Sequence, residues 1–339
     1  MNDFQKARLK LLGLVVLFFI FTTSAVFGIV KVINTLKSEP AAQKNEKTPL
    51  PEPQFKTQTP AIKEVKPEKK TEPQKIILDD SKAFRGIRRE WKKYRLPKCG
   101  ILADVTNNRI LWSYNADRVV PIASLSKMLT IYMALDIIKK SKGRITLQNR
   151  VKISKTSATG REGGFGFMPG DIYTVEDLMQ AAAIRSANDA AAALAFYFGN
   201  GESNFVKMMN LEVKKLDMKN SSFINPHGLP VKSKDNLSTM NDMLLLSLKM
   251  INEPDYMRWV KKKAVKIGEK TIVNTNNLMR KRKYPGVDGL KTGYTRRAGF
   301  CLAFSCLRNG RRLVGVVAGF PSAADRENFV TALLNWAYR

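Results

Sequence analysis

The sequence predicts an α+β fold for about its last 255 residues, in which helices pack on one antiparallel β-sheet. Two observations support this prediction. Strand-like runs occur at both ends of the region, and helical patterns fill much of the chain between them. Strands placed in this way suggest a single sheet in which the two ends of the region meet.

The strands are predicted from alternation and turn residues. Residues 100–120 form two short alternating runs around a turn at Asn107–Asn108. Three further strand-like runs lie near the C-terminus: 289–295, 299–307 and 311–320. The last two are joined by Asn309–Gly310, a dipeptide typical of two-residue hairpin turns.

Three helices are predicted from the spacing of apolar and alanine residues. The first begins at about Ser124 and carries apolar residues at helical spacing: Leu125, Met128, Leu129, Tyr132, Leu135 and Ile138. An alanine-rich helix is predicted from Val175 to Phe198. A final helix, from about Asp325 to Tyr338, closes the chain.

The N-terminus is expected to be directed to a membrane. Residues 11–30 carry no charge, and twenty such residues match the thickness of the hydrocarbon core. We interpret them as an uncleaved transmembrane anchor whose basic flank, residues 1–10, stays cytoplasmic. A cleavable signal peptide is the alternative, although Val26-Phe27-Gly28 fits a cleavage site poorly. Both interpretations export the rest of the chain.

Residues 36–80 are predicted to form a disordered tether. This segment holds 7 of the 15 prolines, is rich in Lys, Glu, Gln and Thr, and lacks apolar periodicity. It cannot bury enough apolar surface to offset the entropy of ordering. The folded domain is therefore predicted to span residues 84–339.

The charge of the chain is strongly basic, with a net value of +29. After residue 80 there are 45 basic and 20 acidic residues, so the excess lies on the folded domain. Because the domain is exported, no nucleic-acid partner is predicted. Anionic envelope polymers or lipid headgroups are candidate partners, and a merely solvated surface is an equal alternative.

Cysteine and histidine are scarce. Cys99, Cys301 and Cys306 are irregularly spaced, which argues against a disulfide framework and a zinc site. We expect buried free thiols, with Cys301 and Cys306 on opposite faces of a strand. The single histidine, His227, excludes a multi-histidine metal site, and neither a metal nor a cofactor is predicted.

Three short motifs suggest nucleophilic catalysis: Ser124-x-x-Lys127, Ser186-x-Asn188 and Lys291-Thr292-Gly293. In a helix, the side chains of Ser124 and Lys127 share one face. Lys127 could deprotonate Ser124 if burial or the charge of Lys291 lowered its pKa. Each motif alone occurs by chance, but their order and their placement on helix and strand make coincidence improbable.

Four segments that contain or adjoin these motifs carry a family resemblance: 121–130, 185–194, 225–229 and 286–302. From about Gly100 to Arg339 the chain resembles the D-alanyl-D-alanine carboxypeptidases among the low-molecular-mass penicillin-binding proteins, which are serine peptidases of the S11 type. The resemblance implies a β-lactamase/transpeptidase-like fold. Such a fold has a five-stranded antiparallel sheet flanked by helices, with an inserted helical subdomain.

The resemblance also implies roles in catalysis. Ser124 would be acylated and Lys127 would be its base, while Ser186 would relay a proton and Asn188 would hold the substrate amide. The backbone N–H groups of Ser124 and Tyr294 would form the oxyanion hole. His227 would lie in a structural turn, and the glycine-rich stretch 160–166 would be a surface loop near the cleft.

Recognition of the substrate carboxylate is implied for Lys291 and Thr292, with Arg326 nearby. Gly293 would let the substrate backbone lie close to the strand. Two positions depart from the family pattern. Ala187 stands where glycine is usual, and Thr275 stands where relatives can carry a carboxylate-binding arginine.

The implied function is a carboxypeptidase that removes terminal D-alanine from peptidoglycan stem pentapeptides and is acylated by β-lactams. It would act outside the bacterial cytoplasmic membrane, in cell-wall synthesis that determines cell shape. A D,D-endopeptidase that cuts crosslinks is the nearest alternative. A β-lactamase is disfavoured because no E-x-x-L-N segment is present. A non-catalytic wall-binding protein is the alternative from another class.

Overall fold

The computed structural model describes residues 78–158, 162–281 and 284–339. The predicted membrane segment and residues 36–77 of the predicted tether lie outside these ranges. Within them, no helix combines the length and the apolar character needed to cross a membrane.

The described residues contain twelve strands, three of which have only two residues. They are β1 (Phe84–Arg85), β2 (Cys99–Asp104), β3 (Arg109–Tyr114), β4 (Val120–Pro121), β5 (Arg150–Lys152), β6 (Ile172–Thr174), β7 (Leu237–Ser238), β8 (Ala264–Ile267), β9 (Lys270–Val273), β10 (Val287–Thr295), β11 (Gly299–Arg308) and β12 (Arg311–Phe320).

Nine α-helices are present in the same ranges, most of them between β3 and β10. They are α1 (Lys127–Lys140), α2 (Lys155–Ala158), α3 (Val175–Gln180), α4 (Asn188–Gly199), α5 (Glu202–Lys215), α6 (Met240–Met250), α7 (Pro254–Val260), α8 (Asn277–Arg280) and α9 (Ala323–Ala337). Short 3₁₀ turns occur at Arg89–Trp91 and Ala123–Ser126, and a π-helical turn occurs at Ala181–Arg185.

The main sheet has the strand order β1-β3-β2-β12-β11-β10. Its last five strands are antiparallel, and β2 pairs with β12, so the two ends of the domain meet as predicted. The predicted count of five strands omits β1, which adds to the edge parallel to β3. The count of five was implied by the resemblance, which begins at about Gly100 and so does not cover β1.

Two hairpin turns follow the predicted residues. Asn108 has φ 50°, while Asn309 and Gly310 have φ 50° and 73°, all in the left-handed region. Asn and Gly adopt this region at low cost, which lets the two-residue loop 309–310 match the twist of its strands, whereas the first connection, 105–108, has four residues. The second turn fixes the register in which Arg308 faces Arg311.

The sheet separates two apolar cores, because neighbouring residues of a strand face opposite sides. On β2, Ile101 belongs to the core beneath the inserted helices, whereas Leu102 faces α9. Cys301 and Cys306 likewise lie in different cores, and both are buried free thiols, as predicted. The cleft-side core therefore joins the sheet to the helices that carry two of the three motifs.

The predicted helix from Val175 to Phe198 is wrong as a single element. Helix α3 ends at Gln180, a π turn follows, and Ser186 has φ 67° before α4 begins at Asn188. The alanine-rich sequence hides this break, because alanine favours helix on both sides of it. The break matters because it places Ser186 and Asn188 at a bend instead of within a helix face.

Candidate active site

Ser124 lies in the 3₁₀ turn that leads into α1, not in the α-helix itself. Two glycines allow other segments to approach this turn. A β-carbon on Gly228 would lie 2.0 Å from the Ala123 carbonyl oxygen, and one on Gly293 would lie 3.2 Å from the Ser124 nitrogen. The turn is thus held between the segment around residue 228 and strand β10.

Lys127 is the first residue of α1 and is fully buried. Its Nζ lies 2.9 Å from Ser124 Oγ, 2.6 Å from Asn188 Oδ1 and 2.6 Å from the His227 carbonyl oxygen. Burial lowers the pKa of Lys127 well below its ordinary value, and the positive charge of Lys291 lowers it further. The negative charge of Asp189 acts in the opposite direction but is the smallest of the three effects.

The three contacts of Lys127 can be made by either form of its amine. A charged lysine donates one N–H group to each of the three oxygens. A neutral lysine donates to the carbonyl oxygens of Asn188 and His227, and its lone pair can then accept a proton from Ser124. The lowered pKa of Lys127 favours the neutral form.

Asn188 links this pair to the glycine-rich stretch. Its Nδ2 donates a hydrogen bond to the Glu162 carbonyl oxygen, and a β-carbon on Gly163 would lie 3.3 Å from the same nitrogen. The adjacent carboxylate of Asp189 accepts hydrogen bonds from the backbone N–H groups of residues 165, 166 and 167. The described part of the stretch therefore packs against the site, where the sequence predicted a loop near the cleft.

Ser186 is brought to the same bend by its left-handed backbone and remains partly exposed. Within the described ranges, its hydroxyl makes no hydrogen bond. A proton-relay role for Ser186 stays a prediction.

Lys291 lies on β10 and is almost completely buried. Its Nζ donates a hydrogen bond of 3.0 Å to the Thr292 carbonyl oxygen. Burial lowers the pKa of Lys291 to about 7, and the positive charge of Arg326 contributes to the shift. Two buried amines with lowered pKa values thus line the site, and the charge of Lys291 lowers the pKa of Lys127.

Thr292 and Tyr294 follow Lys291 on the same strand but differ in their surroundings. The Thr292 hydroxyl lies 2.7 Å from that of Thr275, and Thr292 is only 8% exposed. Tyr294 is 56% exposed and its ring lies over that of Phe300, with centroids 4.2 Å apart. The backbone at 293–294 adjoins Ser124, where the oxyanion donors are predicted.

Arg326 is buried on α9, which packs against β11 and β12. Its Nη1 donates to the Cys301 carbonyl oxygen at 3.1 Å, and its Nη2 lies 3.6 Å from Glu327 Oε1. The positive charge of Arg326 helps to lower the pKa of Lys291. Direct contact of Arg326 with a substrate carboxylate stays a prediction.

Two groups at the site had no role in the sequence prediction. The His227 carbonyl and the Asp189 carboxylate both act on or beside Lys127. A backbone carbonyl has no sequence signal of its own, but Gly228 could have suggested a close backbone approach there. No group of three or more His, Cys, Asp or Glu side chains that could hold a metal occurs in the described ranges.

Comparison with known sequences agrees with the predicted resemblance. A family model described as D-alanyl-D-alanine carboxypeptidase matches residues 97–322. The D-alanyl-D-alanine carboxypeptidase DacF of Bacillus subtilis is 31% identical over 246 residues, which cover 71% of this chain and 62% of DacF. DacC of Escherichia coli is 34% identical over 246 residues, covering 70% of this chain and 60% of DacC. The chain thus spans about three fifths of the length of these relatives.

A D-alanyl-D-alanine endopeptidase of Escherichia coli is also similar, with 29% identity over 224 residues that cover 64% of this chain and 69% of the relative. Among solved structures, penicillin binding protein 6B of Escherichia coli aligns with a TM-score of 0.68 and 31% identity, covering 77% of this chain and 81% of that one.

Penicillin-Binding Protein D2 of Listeria monocytogenes in its cefotaxime-bound form aligns with a TM-score of 0.65 and 28% identity, covering 72% of this chain and 97% of that one. These structures and the six-stranded sheet agree on a penicillin-binding, α+β fold. With the family match over residues 97–322, they lead to one conclusion: this chain belongs to the D-alanyl-D-alanine carboxypeptidase family, peptidase family S11.

Proposed function

We propose that this protein is a serine-type D-alanyl-D-alanine carboxypeptidase that acts on peptidoglycan stem peptides ending in D-Ala-D-Ala. The observation that carries the proposal is the contact of the buried Lys127 amine with the Ser124 hydroxyl at 2.9 Å. The lowered pKa of Lys127 supports its role as a base at neutral pH.

In the acylation step, neutral Lys127 takes the proton of Ser124 as Ser124 Oγ attacks the carbonyl carbon of the penultimate D-alanine. The N–H groups of Ser124 and Tyr294 stabilise the oxyanion. When the C–N bond breaks, the leaving amine of the terminal D-alanine receives a proton from Lys127 through Ser186. Water then hydrolyses the ester on Ser124, which returns the free enzyme and the shortened peptide.

Substrate binding is assigned to the K-T-G strand and to Asn188. Protonated Lys291 and the Thr292 hydroxyl hold the terminal carboxylate, with Arg326 adding positive charge from beneath. The absence of a side chain at Gly293 lets β10 approach the Ser124 turn, so that a peptide extended along β10 would lie beside Ser124. Asn188 holds the substrate amide opposite this strand.

β-Lactams are proposed to acylate the same serine. The structural relative from Listeria monocytogenes was solved in cefotaxime-bound and ampicillin-bound forms. We further propose that residues 11–30 anchor the chain in the cytoplasmic membrane and that residues 36–80 tether the domain, which spans 84–339, on the outer side. The apolar run and the proline-rich composition support this placement.

The decisive test is intact mass after treatment with benzylpenicillin. Wild-type protein should gain one penicilloyl group, and Ser124→Ala should gain none. Adduct formation by Ser124→Ala would contradict the assignment of the nucleophile. The absence of any adduct on folded wild-type protein would favour a non-catalytic wall-binding role instead, and rapid turnover of a chromogenic β-lactam would indicate a β-lactamase.

A D,D-endopeptidase is the second candidate, since an endopeptidase of Escherichia coli shares 29% identity with the chain. Both reactions would use the same acyl-enzyme. Incubation with isolated cell wall and analysis of muropeptides separates them. Loss of pentapeptides with intact crosslinks supports the carboxypeptidase, whereas conversion of dimers to monomers supports the endopeptidase.

A further inference from the structure

Asn236 lies just before β7, is almost completely buried, and contacts both ends of the turn that carries Ser124. Its side-chain Nδ2 donates a hydrogen bond of 2.8 Å to Ser126 Oγ, two residues after Ser124. Its backbone carbonyl oxygen accepts a hydrogen bond of 3.2 Å from the N–H of Ile122, two residues before Ser124. Asn236 therefore holds the turn of the candidate nucleophile from both sides.

The side-chain amide of Asn236 also holds the segment at 224–225. Its Oδ1 accepts hydrogen bonds from the N–H groups of Ile224 and Asn225, at 2.8 and 3.3 Å. Its Nδ2 donates a second hydrogen bond, of 2.9 Å, to the Asn225 carbonyl oxygen. Backbone N–H groups can only donate and carbonyl oxygens can only accept, so these partners fix the orientation of the amide.

The hydroxyl of Ser126 has a defined direction as well. It donates to the Ala123 carbonyl oxygen at 2.7 Å, and that oxygen can only accept. The hydrogen bond from Asn236 therefore meets a lone pair of Ser126 Oγ. Ala123 and Ser126 lie on either side of Ser124 in the chain, so this pair of bonds ties the turn to Asn236.

Asn225 passes the constraint on to the contact of Lys127 with the backbone. Its Oδ1 accepts hydrogen bonds from the N–H groups of His227 and Gly228, at 3.1 and 2.6 Å. The carbonyl oxygen of His227 then lies 2.6 Å from Lys127 Nζ. Asn236 is thus linked through Asn225 to one acceptor of the candidate base, and through Ser126 to the candidate nucleophile.

We propose that Asn236 is a positioning residue that fixes the Ser124 turn relative to the His227 carbonyl oxygen and so sets the geometry of proton transfer from Ser124 to Lys127. Lys127 Nζ contacts both parts, at 2.9 Å from Ser124 Oγ and 2.6 Å from the carbonyl oxygen. A shift of one part against the other would lengthen one of these contacts, and small misplacements of reacting groups are costly.

The inference rests on the proposed function, in which Lys127 takes the proton of Ser124. The hydrogen bonds of Asn236 serve this pair, whereas the ligand carboxylate is assigned to β10. Loss of the link between Asn236 and the turn should therefore slow the acylation step and leave the noncovalent binding of the ligand unchanged.

The test follows acylation by benzylpenicillin over a range of concentrations, which gives the rate constant of acylation and the dissociation constant of the noncovalent complex separately. Ser126→Ala removes the hydroxyl that joins Asn236 to the turn and keeps the bonds of Asn236 to 224–225. It should lower the rate constant about tenfold and change the dissociation constant less than about twofold. Ser126→Thr keeps the hydroxyl and should restore the rate constant.

Asn236→Leu removes every side-chain hydrogen bond at a similar volume, and Asn210→Leu is its matched control. Asn210, on α5, holds the neighbouring residue Phe223: its Nδ2 donates to the Phe223 carbonyl oxygen at 2.7 Å and its Oδ1 accepts from the Phe223 N–H at 2.9 Å. Among the residues that the structure describes, Asn210 makes no hydrogen bond with the Ser124 turn. Both variants should lower the melting temperature, but only Asn236→Leu should slow acylation, by at least about tenfold.

All rates are measured well below the lowest melting temperature of the set, and Ser126→Ala with Ser126→Thr decides the matter if Asn236→Leu does not fold. Wild-type acylation by Ser126→Ala, or equal slowing by Asn236→Leu and Asn210→Leu, would overturn the inference. A wild-type protein that forms no penicilloyl adduct would instead refute the proposed function, and with it the role of Lys127 on which the inference depends.

Discussion

The carbonyl oxygen of His227 lies 2.6 Å from Nζ of Lys127, and this contact fixes the position of the candidate base. Together with Asn188 Oδ1, it occupies two N–H groups of the amine. In a charged lysine the third N–H group would point to Ser124 Oγ, and the amine would have no lone pair to accept the Ser124 proton. The backbone at 227 therefore helps to position the Lys127 amine for its proposed role as a base.

The pH dependence of acylation should show two limbs for substrates with a carboxylate. On the acid side, the rate rises as Lys127 loses its proton, at a pH far below the ordinary lysine range because the pKa of Lys127 is lowered. On the alkaline side, kcat/KM falls above about pH 7 as Lys291 loses the charge that binds the carboxylate. The profile is measured as kcat/KM between pH 4 and 10 for diacyl-L-Lys-D-Ala-D-Ala with a free C-terminal carboxylate.

The same peptide with a C-terminal amide in place of the carboxylate provides the control for this profile. Its alkaline limb should disappear, because no carboxylate interacts with Lys291, while its acid limb should remain. An alkaline limb of equal size for both peptides would contradict the role given to Lys291.

Gly228→Ala should disrupt the site, because a β-carbon there would lie 2.0 Å from the Ala123 carbonyl oxygen. The turn that carries Ser124 would have to shift, so we expect penicillin acylation to slow by at least about tenfold, alongside a lower melting temperature. Gly143→Ala is a matched control. Its φ of 85° resembles the 88° of Gly228, but no atom lies within 4 Å of the added carbon.

Equal effects of the two alanine variants would show that only backbone strain matters at position 228. A selective loss of acylation in Gly228→Ala would instead support the close packing of that segment against the Ser124 turn. Acylation is measured as the rate of penicilloyl adduct formation by mass spectrometry.

The sheet could be predicted from sequence because its determinants are local. The apolar runs of β2 and β11, and the Asn309–Gly310 turn, each depend on residues close together in the chain. The Ser124–Lys127 contact is local as well, since the two residues are three apart. These features needed no knowledge of tertiary packing.

The rest of the site could not be predicted because it depends on distant contacts. Thr275 and Thr292 meet only through the fold, and the break before Ser186 is masked by alanines on both sides. The His227 contact involves a backbone atom that every residue possesses. Side-chain identity thus predicted the motifs, while their mutual orientation required the structure.

Lys291→Met should change the pH dependence of stability. The folded pKa of Lys291, about 7, lies below its ordinary value of 10.5, so the unfolded chain binds more protons between these values and stability rises with pH there. Below pH 7, wild type keeps the full cost of a buried charge. The methionine variant should therefore gain of the order of 1–3 kcal/mol over wild type at pH 6, and the gain should vanish towards pH 10.5.

Urea unfolding at several pH values measures this difference. Lys207→Met serves as the control, since Lys207 is exposed on α5. The idea fails if the stability difference between Lys291→Met and wild type does not vary with pH.

Asp189→Asn should weaken the hydrogen bonds that hold residues 165–167 and should also change the pKa of Lys127. The carboxylate accepts hydrogen bonds from residues 165 and 166 at 2.8 Å each, and an amide has only one oxygen to replace its two. We expect a loss of about 1–3 kcal/mol in the free energy of unfolding. The negative charge of Asp189 raises the pKa of Lys127, so its removal should move the acid limb of the acylation profile to lower pH.

The loss of stability reports a structural role of Asp189, and the shift of the acid limb reports an electrostatic one. Asp171→Asn is a suitable comparison, because Asp171 also accepts a backbone hydrogen bond, from Met168, but is not among the charges that shift the pKa of Lys127. It should lower stability without moving the acid limb. If Asp189→Asn destabilises the protein but leaves the acid limb in place, then Asp189 holds the loop and does not tune Lys127.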